Sequence, residues 1–285
     1  MTVHVNEGRL EVELRPAISS ERMVGNIKSS LARGLRELKA CHPNGFSLSV
    51  AGGGPSLSDT YPDLKAENRH IAAVNGSLMF LLDHDIVPEF CGVLDASPHM
   101  ADVVIADPRV RYLVASNCDP GLFDKLLSAG CKVWIWHPTP ASIGTAEGAK
   151  VLQETNPDAW LMIAGGCTIG LRWVNIGYLL GYRSFHLHGL DSSFRDDKTH
   201  AYADRRCGAW VDANSLKIAG RITSLNFLQQ VTDCAAMIDL FTSARVQPTE
   251  LQVYGDGLLQ DCWRHWEANK ESMNPHHAFK AFLDC

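Results

Sequence analysis

The six residues Ala51–Ser56 read AGGGPS and close an apolar run, FSLSVAG (Phe46–Gly52). Consecutive glycines let a backbone turn sharply and bring N–H groups up to an anion without a Cβ in the way. Ser56 adds a hydroxyl, and a helix beginning beyond it would aim the positive end of its dipole at the same place. Gly52, Gly53, Gly54, Pro55 and Ser56 are therefore the candidate phosphate cradle. The run is neither G-x-G-x-x-G nor a Walker A, since no Gly-Lys-Ser/Thr follows. A tight strand-to-helix turn with no ligand would read the same way.

Four further groups could carry chemistry. Asn75, in AVNGS, ends the next apolar run, and a carboxamide there can both donate to and accept from a base, a sugar or a phosphate. An Asn-Gly turn is its plainer reading. Asp95, in GVLDASPH, could position a metal, a ribose hydroxyl or a substrate proton, or else it or Ser97 could cap a helix. The run GGCT places Gly165, Gly166 and Thr168 at the start of a helix. Their amides could form a second wall of a nucleotide site, or the glycines could serve close helix–sheet packing. The run HGLDSSFRDDKTHAY begins its polar part at Asp191 and adds Arg195, Lys198, His200 and Tyr202. That set can neutralise phosphate and move protons, and a solvated loop is the alternative. His200 is the acid/base candidate, with Asp191 and Asp95 as the candidate catalytic carboxylates. His186 and His188 alternate on one strand and read as structural.

These residues fall at the ends of short apolar runs that alternate with helical patterns. Strands are predicted at Phe46–Gly52, His70–Gly76, Phe90–Asp95, Arg111–Asn117 and Cys131–Pro138. The pattern breaks over 139–164, which is loop-rich with one helix. It resumes with a helix over Thr168–Leu180 and a strand over Phe185–Asp191. Such alternation specifies a mostly parallel sheet covered by helices on both faces, a Rossmann-like α/β fold. Ligands of open α/β sheets bind outside the carboxyl ends of the strands, where these candidates stand. Ahead of the sheet, VHVNEGRLEVEL predicts a strand pair. Residues 20–40 predict an amphipathic helix with Met23, Ile27, Leu31 and Leu35 on one stripe and Ser20 as cap. Residues 192–217 are polar and weakly periodic, as in a lid-like insertion near the C-terminal third. A helix at about Ile222–Thr242, a strand ELQVYGDG and a helical tail complete the chain. The expected divisions are an arm and helix at 1–45, a nucleotide-binding transferase domain at 46–257 and a tail at 258–285.

Composition narrows the classes. With 46% hydrophobic and 20% charged residues in 285, the chain is an ordinary globular protein. No apolar run reaches the ~20 residues that span a bilayer. The first residues alternate and carry charge, unlike a secretory signal, so a cytoplasmic location is expected. A net charge of -6 argues against a broad basic face for duplex nucleic acid. Nine cysteines without a C-x-x-C pair are read as reduced thiols, with no disulfide framework and no zinc finger. Self-association into a homo-oligomer is left open.

The run GGGPSL, the strand ending at Asn75, DHDIVPEFCGVLDASP, GGCTIGLRWVNIGYLLGYRSFHLHGLD and KTHAY, in this order over roughly residues 46–230, resemble the MptE-like family of 6-hydroxymethylpterin diphosphokinases. The same core is similar to that of Maf-type motility-accessory glycosyltransferases and of bacterial sialyltransferases. In the sialyltransferases a glycine loop and an Asn hold the CMP part of the donor. The resemblance implies those roles for Gly52–Ser56 and Asn75. Gly53 stands where the sialyltransferases have Asn, and Gly189–Leu190–Asp191 stands where MptE-like proteins have Gly-Gln-Asp. The implied activity is a transferase using a nucleotide donor, a CMP- or NDP-sugar in a glycosyltransferase. The alternatives are ATP with Mg²⁺ in a diphosphokinase acting on a pterin-like alcohol, and a non-catalytic nucleotide-binding module. The acceptor could be a glycan, a protein, a nucleobase or a pterin.

Overall fold

The computed structural model describes residues 18–139, 150, 154, 161–196, 198–202, 215–242 and 249–284, and the backbone of 2–6 and 9–13. Strands β1 (Thr2–Asn6) and β2 (Arg9–Glu13) form the antiparallel pair that the Asn-Glu-Gly turn predicts. Helix α1 (Ser20–Leu31) buries Met23 and Ile27 on its stripe. Its cap is Ser19, whose hydroxyl accepts from the Arg22 N–H, and not Ser20. The helix also stops well short of residue 40. Gly34, left-handed at φ +60°, closes its end by donating to the Leu31 carbonyl, and the chain passes into a two-residue strand, β3 (Arg36–Glu37).

The predicted alternation follows. It runs β4 (Ser47–Ala51), α2 (Leu57–Thr60), β5 (Arg69–Val74), α3 (Ser77–Asp83), β6 (Phe90–Val93), α4 (Met100–Val103), β7 (Arg111–Ala115), α5 (Pro120–Ser128) and β8 (Lys132–Pro138). The helix expected after the glycine loop is only the four residues of α2. It tightens at once into a 3₁₀ turn, Tyr61–Leu64, with Pro62 near its start. A long helix dipole behind the loop is therefore absent. Next come β9 (Met162–Ile163), α6 (Ile169–Leu179) and β10 (Ser184–His188). The helix predicted from Ile222 begins later. Strands β11 (Leu216–Ile218) and β12 (Arg221–Thr223) pair antiparallel, and only then does α7 (Leu225–Thr242) start. Strand β13 (Glu250–Val253) and helices α8 (Leu258–Asn269) and α9 (Pro275–Leu283) complete the fold.

The main sheet runs in the order β13-β10-β4-β5-β6-β7-β8-β3, with β9 on β8 beyond β3, and every pairing in it is parallel. The inner strands β4, β5, β6, β7 and β10 are buried over almost their whole length, because both faces are covered. Leu48, Val50, Leu113, Val114, Phe185 and Leu187 form the centre of one apolar core. Trp173 and Ile176 of α6 and Leu258, Trp263 and Phe279 from α8 and α9 join it. A smaller cluster of Met23, Ile27 and Ala96 seats α1 against the loop after β6. From β4 the chain lays strands β5 to β8 to one side, then returns to place β10 and β13 on the other. The crevice between the carboxyl ends of β4 and β10 is thus the topological switch point, where open α/β sheets bind ligands.

Within the 192–217 insertion, Ser192, Ser193, Phe194 and Thr199 are buried, so its first part is packed. Residues 197 and 203–214 lie outside the described residues, as do 140–149, 151–153 and 155–160, where a helix was expected. The seven described cysteines are free thiols, five of them buried. No helix among the described residues is long and apolar enough to cross a membrane.

Candidate functional site at the switch point

Hydrogen bonds of every second residue extend the β4–β10 ladder into the glycine loop. Gly52 N–H donates to the His188 carbonyl at 2.7 Å and Gly54 N–H to that of Gly189 at 2.7 Å. Ser56 N–H then donates to Asp191 Oδ2 at 2.7 Å. Gly52 and Gly54 are needed for closeness rather than for a left-handed turn. A Cβ on Gly54 would stand 2.7 Å from the Gly189 oxygen and 2.8 Å from the Asp191 carboxyl carbon. By the period of two, Gly53 faces the other way. Its carbonyl accepts from Ala201 N–H at 2.9 Å, and its N–H has no acceptor among the described residues.

Asp191 is buried, 3% exposed, and holds the loop from inside the fold. The Ser56 hydroxyl also donates to it, and Gln260 Nε2 donates at 3.3 Å. Burial pushes its carboxyl above the ordinary Asp range, against the pull of the Ser56 hydrogen bonds. The Ser56 hydroxyl that could have met a phosphate is therefore committed to Asp191.

Asn75 sits left-handed at φ +49°, as an Asn-Gly turn allows. Its N–H donates to the Gly92 carbonyl at 3.1 Å, while its buried Oδ1 has no donor among the described residues. A strap over these turns is made by Thr199–Tyr202. The rings of His200 and Tyr202 stack at 4.9 Å, and Thr199 Oγ1 lies 2.9 Å from His200 Nδ1. A Cβ on Gly53 would stand 2.8 Å from both His200 Cδ2 and the Tyr202 hydroxyl, and one on Gly76 would stand 2.9 Å from that hydroxyl.

On the α6 side, Gly165 and Gly166 are left-handed at φ +127° and +85°, a backbone that favours glycine. Thr168 caps α6 by accepting from Leu171 N–H. Arg172, fully buried, donates to the carbonyls of Ile163 at 2.6 Å and Gly166 at 2.7 Å, which pins this turn. Burial lowers the Arg172 guanidinium to about 10, so it stays charged at neutral pH. Asp95, after β6, accepts from Ser97 N–H at 2.8 Å in the local turn expected of a capping residue.

A cavity of about 840 Å³ joins these groups, in the size range of small-molecule sites. Gly53, Gly54, Asn75, Asp95, Gly165, Gly166, Thr168, Asp191 and His200 line it. Gly52, Pro55 and Ser56 shape it from behind. Arg195 and Lys198 do not reach it. Arg195 pairs with Asp59 at 2.5 Å, and Lys198 is exposed. Tyr202 lies over the glycines. Two lining residues are not among the candidates named from the sequence: Asn117, which follows β7 as Asn75 follows β5, and Arg172, a charge inside the apolar run IGLRW that signals a buried polar role. His186 and His188 lie outside the cavity. His188 is buried, stacks on Tyr254 at 4.4 Å and is driven down to about 3 by burial, with His186 and Arg69 adding to the effect.

A parallel sheet with a ligand-sized cavity at its switch point, walled by two glycine turns, defines a Rossmann-like α/β protein. The chain belongs to the family described as 6-hydroxymethylpterin diphosphokinase MptE-like, whose profile matches residues 21–197. Among solved structures, the MAf glycosyltransferase from Magnetospirillum magneticum AMB-1 is similar in fold. It is 13% identical at a TM-score of 0.57, over 95% of this chain and 45% of that one, so this chain spans under half of its length. The sialyltransferase CstII from Campylobacter jejuni, solved with cytidine-5'-monophosphate, is 13% identical at a TM-score of 0.40, over 75% of this chain and 80% of that one. No match is found among curated protein sequences.

Proposed function

We propose that this protein is a glycosyltransferase that takes its sugar from a nucleotide donor. The observation that carries the proposal is the charge of the cavity. Arg172 is the only lysine or arginine among the described lining residues, and the acids Asp95, Asp191 and Asp233 line the cavity with it. One buried cation and the unused Gly53 N–H suit a donor with few phosphate charges; a triphosphate would have to bring its own cations. Gly53, Gly54 and the Gly165–Thr168 turn hold the phosphate, and Asn75 reads the base or ribose. His200 takes the proton of an acceptor hydroxyl as its oxygen attacks the anomeric carbon, with Asp95 as the alternative base. The bond from that carbon to the phosphate oxygen breaks, and the nucleotide leaves as an anion on the loop amides. Asp191 fixes the loop, and the strap keeps water away from the donor.

A diphosphokinase is the second reading, favoured by the description of the family. Asp95 has one oxygen without a partner among the described residues, which with the phosphates of ATP could hold Mg²⁺. Thermal-shift measurements with CMP, UDP, GDP and ATP, each with and without Mg²⁺, separate these readings. A ligand at about a hundredfold over its Kd stabilises by roughly 2.7 kcal/mol. Metal-independent stabilisation by CMP or UDP supports the glycosyltransferase, and stabilisation by Mg-ATP alone supports the diphosphokinase. Silence with every nucleotide refutes both as stated and leaves a module that has lost its ligand.

A further inference from the structure

The wall that α1 gives to the cavity has no part in the roles assigned so far. Ile18 and Met23 line it beside Leu94 and Ala96, and Met23 and Ala96 pack in the small cluster that seats α1. The loop after β7 brings Asn117 to the same wall. Asn117 is 3% exposed. Its carbonyl accepts from Asn26 Nδ2 at 2.9 Å, and its own Nδ2 donates to the Leu94 carbonyl at 3.2 Å. Its Oδ1 is buried with no donor among the described residues. A buried acceptor left unmatched destabilises the fold unless something supplies a hydrogen. In the loop after the neighbouring strand β6, the Asp95 carboxylate is a second acceptor lining the cavity.

This wall therefore combines hydrogen-bond acceptors with aliphatic surface and carries no lysine or arginine. A phosphate would be repelled there. A sugar ring fits, since its hydroxyls donate and its C–H face lies on aliphatic side chains. In the sheet β7 is three strands from β4, about 14 Å at the usual strand spacing, which leaves room for a sugar ring beyond a phosphate held on Gly53. We propose that Asn117, Asp95, Ile18 and Met23 form a subsite for a hydroxyl-bearing sugar ring, built in part by the N-terminal helix. The inference rests on the glycosyltransferase reading and extends it. The ring belongs either to the sugar of the donor or to a sugar acceptor.

The test labels the methionine methyls with ¹³C and follows Met23 by NMR, with Met273 on the surface as control. One arm adds CMP, UDP or GDP, then CMP-N-acetylneuraminate, UDP-glucose or GDP-mannose. The other adds methyl glycosides of glucose, galactose and N-acetylglucosamine to protein saturated with the tightest bare nucleotide. A Met23 shift with a conjugate beyond that with its nucleotide assigns the ring to the donor, and a shift with a methyl glycoside assigns it to an acceptor. Asn117→Leu should weaken the responsible ligand about tenfold and leave bare nucleotide within about twofold, the effect of losing one buried acceptor. Asn26→Ala, which loosens the same loop but leaves Oδ1 in place, should preserve both affinities. Calorimetric binding of nucleotide with Met23 silent in both arms would overturn the subsite and leave the donor reading intact. Binding of nothing at all would overturn both.

Discussion

Removing the Asp191 carboxylate should loosen the glycine loop by an amount that the structure sets. In Asp191→Ala the Ser56 N–H and hydroxyl lose their acceptor inside the fold, and the weaker contact with Gln260 is lost as well. Two hydrogen bonds to a carboxylate are worth about 1.5–3 kcal/mol each, and relief from burying the charge returns part of that, so the net loss is about 3 kcal/mol. For a chain of this size that is a fall of roughly 6–12 °C in Tm. Asp191→Asn keeps an acceptor for Ser56 N–H and offers an amide to the Ser56 oxygen, so its loss should be only about 1 kcal/mol. The pH dependence gives an independent check. The folded carboxyl holds its proton to higher pH than the unfolded one. The contribution of Asp191 is therefore full below the unfolded value near pH ~4 and declines as pH rises through the folded one. Asn does not titrate, so Asp191→Asn should remove that decline. Urea denaturation of the three proteins between about pH 4 and 7 measures all of this. An Asp191→Ala unfolding free energy within about 0.5 kcal/mol of wild type, or equal losses for Ala and Asn, would refute the reasoning.

Gly53→Val should abolish nucleotide binding in calorimetry with an unchanged circular dichroism spectrum, because the atoms nearest the new Cβ are side-chain atoms of His200 and Tyr202 and not backbone; full affinity would reduce the loop to a turn. Gly54→Ala should instead cost stability, since its Cβ meets the Gly189 backbone, and a Tm equal to that of Gly53→Ala would contradict this. Asn75→Ala should weaken donor binding by roughly 1–3 kcal/mol. Asn75→Gly, which keeps the left-handed turn without strain, should weaken it equally, and normal binding by the glycine variant would leave Asn75 a turn residue only. His188, held neutral down to about 3, contributes stability that is present above the unfolded histidine value near ~6.5 and is lost as pH falls towards 3. His188→Phe should flatten the acid limb of the stability profile, and an unaltered limb would count against the burial argument.

The alternation of strands and helices was legible because a strand buried on both faces must be a short apolar run, as FSLSVAG and RYLVASN are. The glycine loop was legible for the same local reason, as small residues placed directly after such a run. Two-residue strands such as β3 and β9 carry no period to read, and α1 ended early at a Gly34 turn that the apolar stripe masked. Asn117 and Arg172 were missed because neither sits in a distinctive run, and their importance comes from burial beside a cavity.

By itself, the sequence determined a Rossmann-like α/β fold and the strand ends that gather its polar residues, since hydrophobic period and turn chemistry are properties of neighbouring residues. Only the tertiary structure decided that β4 lies against β10, which sets Ser56 on Asp191 across 135 positions of chain. From that pairing follow the inward Ser56 hydroxyl, the Gly53 N–H left without an acceptor among the described residues and the exclusion of Arg195 from the cavity, because each depends on contacts between distant segments that local spacing does not encode.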